Sequence, residues 1–260
     1  MDFRGKVAII TGSSSGIGQA TAVGLANLGC AVTITGRNAE NLEKTKLACM
    51  AAGLNEEQVR TVIGDIESED TRTSLISKAL QISGNIDILV NNAGMGEAGS
   101  ISESPLSEFE NTMNINLTSV VALTQLAIPH LIAAKGSIIN VSSIVSLKPV
   151  PHLPFYCISK AGLDMFTKVL ALELAPKGVR VNSVNPAAID TPILYNKEMS
   201  QEEKEKLKES LGQLHPIGRI GKPEEVAETI IFLASSRASF ITGNIMKIDG
   251  GIEYFFNRPS

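Results

Sequence analysis

Tyr156 and Lys160 are the residues of this sequence whose types and spacing most directly indicate chemistry. Residues four apart on a helix share a face, so the phenol and the ammonium lie side by side if this segment is helical. A fixed ammonium favours the phenolate and brings the tyrosine pKa down from about 10 toward neutral pH. A tyrosine in that position is a general acid. The alternative is an ordinary helix face, because this spacing occurs in many helices.

A glycine-rich turn near the amino terminus is the second feature with chemical meaning. The apolar stretch 7–10 predicts a strand, the turn TGSSSGIG follows at 11–18, and an Ala- and Leu-rich segment at 17–28 predicts a helix. Gly12, Gly16 and Gly18 allow close backbone approach, and the N–H groups at the helix N-terminus can bind a pyrophosphate. Their spacing is not the usual G-x-G-x-x-G, so the glycines could alternatively serve only to pack helix on strand.

The end of the second predicted strand bears on which dinucleotide would bind. The strand at 31–35 runs into Gly36 and Arg37, with no acidic residue there. In dinucleotide-binding folds an acid at this place holds the ribose 2′-hydroxyl, whereas an arginine accommodates a 2′-phosphate. We therefore expect NADP(H) to be preferred, with NAD(H) as the alternative. In the opposing interpretation, Arg37 is only a solvated loop charge.

Three further predicted strands, at 59–63, 86–90 and 137–141, also end in polar residues. They lead into Asp65, Asn91 and Ser143, respectively. Ligands of open α/β sheets bind beyond the carboxyl ends of the strands, so we expect these ends to line a cleft. Asp65 has two interpretations that the sequence does not separate. It accepts a hydrogen bond from an adenine amino group, or it caps the helix that begins near Ser68.

Two later segments have unusual composition. The helical pattern at 106–134 contains Asn114 and Asn116, and asparagine is unfavourable inside a helix. These asparagines indicate either exposed polar positions or a local irregularity of the helix. The charges of the segment 192–216 are typical of a solvated helix face, and we expect the segment as a whole to form a lid over the substrate site.

The composition excludes several classes of protein. The chain has 260 residues and a net charge of -4 without a dense basic cluster, which argues against a nucleic-acid surface. Its three cysteines form no CxxC pair, and its three histidines lack metal-ligand spacing, so we expect reduced thiols, a cytoplasmic location and no metal site. The apolar run near the amino terminus is interrupted at Thr11, far short of a membrane span.

The alternation of predicted strands and helices along the whole chain indicates the fold class. Such alternation predicts a parallel sheet covered by helices on both faces. We therefore expect an α/β fold, a single Rossmann-like doubly wound domain with about seven parallel strands. No repeat or flexible linker divides the sequence into smaller units.

These motifs together resemble those of the classical short-chain dehydrogenase/reductase family, over nearly the whole chain. The resemblance is carried by 11–18 (TGSSSGIG), 91–94 (NNAG), 115–117 (INL), Ser143, Tyr156 with Lys160, 186–191 (PAAIDT) and 248–251 (IDGG). Each motif is weak alone, but their shared order and spacing are specific. The resemblance implies one NAD(P)-binding catalytic domain over residues 1–260.

The resemblance also implies roles for four residues. Tyr156 is similar to the family's catalytic acid, which protonates a carbonyl oxygen as hydride arrives from the nicotinamide, or acts as the base in reverse. Lys160 would lower the pKa of that tyrosine and hold the nicotinamide ribose. Ser143 would donate a hydrogen bond to the substrate oxygen. Asn116, rather than Asn114, aligns with the asparagine that positions a water leading protons to Lys160.

Family members hold the dinucleotide through a further set of positions. In this sequence they are Gly12, Ser15, Ile17 and Gly18 at the phosphates, Arg37, Asp65 and Ile66 at the adenosine, Asn91 and Ala93 nearby, and Ile189 and Thr191 at the nicotinamide carboxamide. One position departs from the family, which usually has Pro-Gly where this chain has Pro186 and Ala187. Because alanine is the smallest such change, we expect activity to survive it.

The function expected from these residues is an NADP(H)-dependent oxidoreductase that interconverts a ketone or aldehyde and an alcohol. An NAD-dependent alcohol or hydroxysteroid-type dehydrogenase is the alternative within enzymes, and a non-catalytic dinucleotide-binding sensor or scaffold is the alternative outside them. Apolar residues that could line a pocket for a hydrophobic substrate, or simply fill core, are Met95, Ile144, Val145, Leu147, Leu153 and Leu194.

The resemblance further implies a homo-oligomer. Family members are commonly tetramers that pack through the long helices, here those at 106–134 and 156–174. Phe255 and Phe256 near the carboxyl terminus are candidates for such an interface, because two adjacent aromatic residues are costly to expose.

Overall fold

The computed structural model of this chain describes residues 1–195 and 199–254. Within them seven parallel strands form one sheet in the order β3-β2-β1-β4-β5-β6-β7. The strands are β1 (Val7–Ile10), β2 (Ala31–Gly36), β3 (Val59–Ile63), β4 (Ile88–Asn91), β5 (Ser137–Val141), β6 (Arg180–Pro186) and β7 (Ile245–Ile248). The predicted doubly wound, Rossmann-like parallel sheet is confirmed.

Among the described residues, eight α-helices follow or separate the strands. They are α1 (Gly16–Asn27), α2 (Ala39–Ala51), α3 (Glu69–Ser83), α4 (Leu106–Met113), α5 (Ser119–Ala134), α6 (Pro154–Leu174), α7 (Gln201–Gln213) and α8 (Pro223–Ala234). Helices α1, α2 and α8 bury their apolar residues in the core on one face of the sheet. Helices α3, α5 and α6 contribute to a second core on the other face. Each fully buried leucine, such as Leu25 or Leu123, contributes about 1.5–3 kcal/mol.

The order of the strands reverses at β1, which lies between β2 and β4. The chain leaves β1 toward β2 and β3 on one side, and it later returns to build β4 to β7 on the other. Thr11, directly after β1, donates its N–H to the carbonyl oxygen of Val90 in β4 at 3.0 Å. A crevice at the carboxyl ends of β1 and β4 is the place where this fold binds ligands.

The predicted helix at 106–134 is interrupted by one π-helical turn, Asn114–Thr118. There the N–H of Ser119 bonds to the carbonyl of Asn114, five residues back, and the hydroxyl of Ser119 donates to Ile115 O at 2.7 Å. Asn116 is fully buried, whereas Asn114 is exposed. Of the two interpretations that the sequence left open, a local irregularity holds for Asn116 and an exposed polar position holds for Asn114.

The same helix, Leu106–Ala134, is long and apolar enough to cross a membrane by length and composition alone. Three of its apolar residues, Leu123, Ala127 and Leu131, are fully buried in the core. In the described residues 33% of its apolar window is buried, and a single helix of this kind is weak evidence for a membrane span.

The segment expected to form a lid contains α7, whose first turn is closed by a capping box between Ser200 and Glu203. Residues 196–198 of that segment lie outside the described residues, as do Phe255 and Phe256, the aromatic pair considered for an interface.

Candidate active site

Tyr156 and Lys160 lie in the first two turns of α6, one helical turn apart, as the sequence predicts. Lys160 is 3% exposed, and its Nζ donates to the carbonyl oxygen of Val141, the last residue of β5, at 2.9 Å. The same Nζ lies 5.6 Å from the centroid of the Tyr156 ring. The ammonium is thus anchored at the carboxyl edge of the sheet, beside the phenol.

The expected lowering of the Tyr156 pKa by Lys160 is wrong for this structure. Burial raises the pKa of Tyr156 above its usual value, and a hydrogen bond with Ser143 only partly opposes that effect. Burial also lowers the pKa of Lys160 to about 8, with the charge of Asp164 acting in the opposite direction. Desolvation is the largest cause of both pKa shifts, because each charged form loses its hydration. Tyr156 therefore keeps its proton at neutral pH, as an acid must.

Ser143 sits in the turn after β5, on the same side as Tyr156. It has an extended backbone and precedes a short 3₁₀ turn, Ile144–Ser146. Its Oγ accepts a weak bond from the N–H of Val145 at 3.4 Å, a contact that does not use the hydroxyl proton. A hydroxyl in this position can donate to a substrate oxygen that also receives the Tyr156 proton.

The π-helical turn places the side chain of Asn116 against the loop after β4. Asn116 Oδ1 accepts from Met95 N at 2.9 Å, and Nδ2 donates to Met95 O at 2.9 Å and Ser159 Oγ at 3.0 Å. A Cβ on Gly94 would lie 3.2 Å from Asn116 Oδ1 and 3.4 Å from Lys160 Nζ. The structure therefore brings Asn116 and Lys160 to the same point, while the water-positioning role of Asn116 stays a prediction.

The glycine turn after β1 shows both features that the sequence allowed. A Cβ on Gly18 would lie 2.4 Å from the carbonyl oxygen of Gly12, and one on Gly12 would lie 2.9 Å from Ala93 Cα. These glycines are therefore required for packing. The N-cap of α1, Ser15, makes no side-chain bond to the first turn. The backbone N–H groups of that turn, with Ile17 among them, thus suit an anionic pyrophosphate.

The end of β6 approaches the same turn. A Cβ on Gly16 would lie 2.9 Å from Thr191 Cγ2. Thr191, expected at the nicotinamide carboxamide, is therefore a neighbour of the glycine turn expected at the phosphates. Thr191 is 7% exposed, and Ile189 is 6% exposed within the core. Ala187 donates its N–H to Ile248 O at 3.1 Å, and in the described ranges Lys135 is the only residue other than glycine with a positive φ. Alanine fits here without left-handed backbone strain.

The side chains of Asn91, which the resemblance places near the cofactor, and of Asn92 point to different parts of the fold. Asn91 Nδ2 donates to Asn140 Oδ1 at 2.8 Å and Thr124 Oγ1 at 3.1 Å, so its side chain lies inside the fold, away from the crevice. Asn92 Nδ2 instead donates to the carbonyl oxygens of Thr11 at 2.8 Å and Gly12 at 3.1 Å. Asn92 therefore fixes the glycine turn. The alternation of side chains along a strand was the available signal that adjacent residues point apart.

Arg37 and Asp65, both predicted at the adenosine, lie together. Arg37 Nη1 is 3.6 Å from Asp65 Oδ2, and the arginine side chain is 75% exposed. Asp65 Oδ1 accepts from the N–H of Glu67 at 3.1 Å, ahead of α3, so the helix-capping interpretation of Asp65 is wrong. Ile66, beside it, is buried in the core at 8% exposure.

Ser14 is a residue of this region that the sequence reasoning missed. A Cβ on Gly36 would lie 2.9 Å from both Cβ and Oγ of Ser14. Ser14 therefore occupies the space beside the end of β2. Only the glycine at position 36, next to an arginine, hinted at such a neighbour.

Comparison with known proteins identifies the fold that carries this site. A family model described as enoyl-(acyl carrier protein) reductase matches residues 12–253. A solved structure of a short-chain dehydrogenase/reductase from Caenorhabditis elegans with cofactor has a TM-score of 0.93 and 39% identity, over 98% of this chain and 97% of that one. The chain belongs to the short-chain dehydrogenase/reductase family. Members of this family are NAD(P)-binding oxidoreductases, and this one acts on CH–OH or C=O groups.

Two curated relatives of this family member match it over nearly their full lengths. The 3-oxoacyl-[acyl-carrier-protein] reductase of Thermotoga maritima is 39% identical, over 97% of this chain and 99% of the relative. The 3beta-hydroxysteroid dehydrogenase 1 of Eggerthella lenta is 36% identical, over 98% of this chain and 96% of the relative. Both names describe the reduction or oxidation of a carbon that bears oxygen. They differ in the rest of the substrate, an acyl chain on a carrier protein in one and a steroid in the other.

Proposed function

We propose that this protein is an NADP(H)-dependent reductase of a ketone or aldehyde, or the corresponding alcohol dehydrogenase in reverse. The observation that carries the proposal is the half-buried Tyr156, which keeps its proton between the hydroxyl of Ser143 and the ammonium of Lys160. A non-catalytic dinucleotide-binding protein has no need for this arrangement.

The residues of the site divide the work on the carbonyl group. The bound nicotinamide supplies or accepts the hydride. Tyr156 gives its proton to the carbonyl oxygen in reduction and takes one from the alcohol in oxidation. Ser143 donates a hydrogen bond to the same oxygen and stabilises charge that develops there. Lys160 uses one of its three N–H donors on Val141 O, which leaves two for the nicotinamide ribose.

The preference for NADP(H) rests on the end of β2. Position 36, where an acidic residue would hold a ribose 2′-hydroxyl, has no room for a side chain because Ser14 fills the space. Arg37 follows directly, and its guanidinium can bind a phosphate in a bidentate manner. Its exposed pair with Asp65 contributes only about 0–1 kcal/mol, so that contact does not prevent Arg37 from turning to a 2′-phosphate.

A hydrophobic substrate is the second part of the proposal. Ile144 and Val145 are buried at 7% and 9% exposure, which fits core filling as well as a pocket wall. Leu147 is 43% exposed, and Met95, Leu153 and Leu194 are partly exposed. These four apolar residues, close in sequence to the site residues, support a substrate with an apolar body around the carbonyl group.

Self-association through α6 is the third part. Ile158, Met165, Val169 and Leu172 are between 44% and 80% exposed. Their spacing of seven, four and three residues puts them on one face of the helix. We propose that a second copy of the chain covers this α6 stripe, as a dimer or tetramer. The buried, free thiols of Cys30 and Cys49 suit the reducing cytoplasm in which we place the protein.

The experiment that tests the proposed function is a titration with NADPH and NADH, followed by a carbonyl screen with the tighter cofactor. Tight NADPH binding together with hydride transfer to a ketone supports the proposed NADP(H)-dependent reductase. Tight binding without hydride transfer to any of a broad set of ketones and aldehydes supports a sensor or scaffold instead. Stronger binding of NADH supports the NAD-dependent alternative.

A further inference from the structure

Asp164 is a buried carboxylate that has no part in the proposed reaction. It lies on α6 one turn beyond Lys160, and it is 4% exposed. A buried carboxylate is costly unless it is hydrogen-bonded and compensated by opposite charge. The groups around Asp164 provide both.

Three donors from outside α6 converge on this carboxylate. Ser146 Oγ donates to Oδ2 at 2.5 Å, and Asn185 Nδ2 donates to the same oxygen at 2.8 Å. The single hydroxyl proton of Ser183 has two acceptors within reach, Asp164 Oδ1 at 3.2 Å and Asn185 Oδ1 at 2.8 Å. Bonds to an ionised acceptor are stronger than neutral ones. Asp164 therefore ties the turn after β5 and strand β6 to helix α6.

The same network reaches the backbone of Ser143. Asn185 Nδ2 also donates to the carbonyl oxygen of Ser143 at 3.0 Å, and the N–H of Ser146 donates to that oxygen at 3.1 Å. The opposite amide orientation of Asn185 would place its oxygen against the Asp164 carboxylate, so the charge decides which way the amide points. The position of Ser143 thus depends on Asp164 through Asn185.

Asp164 also provides an opposite charge for Lys160, from one helical turn further along α6. Both side chains are buried, and Asp164 is the charge that supports the ammonium against desolvation. The other elements packed around Lys160 Nζ present Val141 O, Gly94 and the amide of Asn116, none of which titrates. On α6 itself Tyr156, which is neutral at neutral pH, and the free thiol of Cys157 are further titratable groups within one turn of Lys160.

We propose that Asp164 is a positioning residue of the active site, which fixes the turn carrying Ser143 onto α6 and supplies the counter-charge for the Lys160 ammonium. The inference rests on the proposed function, because it assigns to Asp164 the support of two groups that act in that reaction. Asp164 itself touches no reacting atom.

The test is a pH titration of Lys160 by NMR of protein labelled with carbon-13 at the lysine ε-carbons, with Lys160→Met assigning the signal. In Asp164→Asn the midpoint for Lys160 is expected to fall by about one pH unit. The matched control is Asp87→Asn. Asp87 is also a buried carboxylate, at 7% exposure, but it binds Lys6 Nζ at 2.8 Å at the opposite edge of the sheet. This control is expected to leave the Lys160 midpoint unchanged.

The kinetic counterpart separates the two roles of Asp164. Asp164→Asn is expected to move the alkaline fall of kcat/KM down by the same pH interval as the NMR midpoint. Ser146→Ala removes the shortest donor and keeps the charge, so it is expected to lower kcat a few-fold with the midpoint in place. If Asp164→Asn does not fold, Ser146→Ala decides: kcat equal to that of the wild type overturns the positioning role.

Two outcomes of the titration have opposite meanings. A Lys160 midpoint that is the same in Asp164→Asn as in the wild type, or equally displaced in Asp87→Asn, overturns the inference and leaves the proposed function standing. The titration needs no turnover. If the Lys160 midpoint falls in Asp164→Asn but the wild type transfers no hydride, the proposed function is overturned. The effect of Asp164 on the pKa of Lys160 is then still supported.

Discussion

Ser14 and Gly36 approach each other so closely that a Cβ on Gly36 would lie 2.9 Å from the side chain of Ser14. An acidic side chain at position 36 could enter only if Ser14 moved. The adenosine end of the proposed cofactor site therefore offers a hydroxyl and the guanidinium of Arg37, both of which can donate to a phosphate. The expected cofactor preference therefore depends on the packing of Ser14 against Gly36 as well as on the charge of Arg37.

Replacing Arg37 by Gln should weaken NADPH binding about ten- to hundredfold and leave NADH binding unchanged. A charge-assisted hydrogen bond contributes about 1.5–3 kcal/mol, and only NADPH carries the 2′-phosphate. The measurement is a titration that follows the fluorescence of the reduced nicotinamide, excited directly because the chain has no Trp. Lys44→Gln, an exposed cation on α2 paired with Glu40, is the control and should change neither affinity. Equal weakening of both cofactors would contradict the assignment.

Replacing Tyr156 by Phe should lower turnover by a factor of about 10²–10⁴ while NADPH binds nearly as before. The phenol proton is lost, but the ring and its packing remain. Tyr254→Phe is the matched control, because Tyr254 is 71% exposed, and it should keep full activity. Turnover is measured by the absorbance of NADPH with the best substrate of the carbonyl screen. Substantial activity in Tyr156→Phe would contradict the proposed role of Tyr156 as the general acid.

Local sequence patterns were sufficient to predict the order of the strands and helices. A helix at Tyr156 and Lys160 follows from spacing, and a glycine turn between strand and helix follows from composition. The two asparagines also indicated an irregular helix as one of two interpretations, because asparagine opposes helical propensity. Each of these features depends on residues that are close in the chain.

Features that depend on burial or on distant segments were not predictable. The sign of the Tyr156 pKa shift is set by desolvation, which spacing on a helix does not reveal. The contact of Ser14 with Gly36 joins two separate loops. The bonds to Asp164 come from the turn after β5 and from β6, so only the folded chain shows that this carboxylate is compensated.

Replacing Leu172 by Glu should dissociate the proposed oligomer. Leu172 is 80% exposed on the α6 stripe, and a carboxylate there would be desolvated without a partner when a second copy packs on it. The control is Ile63→Glu at the end of edge strand β3, where the replaced side chain is 61% exposed. Light scattering at micromolar concentration should show smaller particles for Leu172→Glu only. A wild type that is already monomeric would contradict the proposed interface.

The rate of carbonyl reduction should be flat below about pH 8 and fall above it. The pKa of Lys160 is lowered to about 8 by burial, so its ammonium is present below that pH and is lost above it. Tyr156, whose pKa is raised, keeps its proton throughout this range. The profile of kcat/KM against pH reports these groups in the free enzyme. Lys168→Met, at an exposed position on α6, should retain the fall near pH 8, and a rate that is flat to pH 10 would exclude Lys160 as its source.

The stability of the wild type relative to Lys160→Met should rise between about pH 8 and pH 10.5. The folded pKa of Lys160 is about 8 and its ordinary value is 10.5, so in this window the unfolded chain binds the extra proton. Stability rises with pH wherever the unfolded state binds more protons. The full difference that corresponds to this pKa shift is about 3 kcal/mol. Urea unfolding at pH 7.5 and pH 10 measures most of this change. If the difference in unfolding free energy between the two proteins did not change with pH, burial would not lower the pKa of Lys160. Asp164 would then have no lowered pKa to counteract.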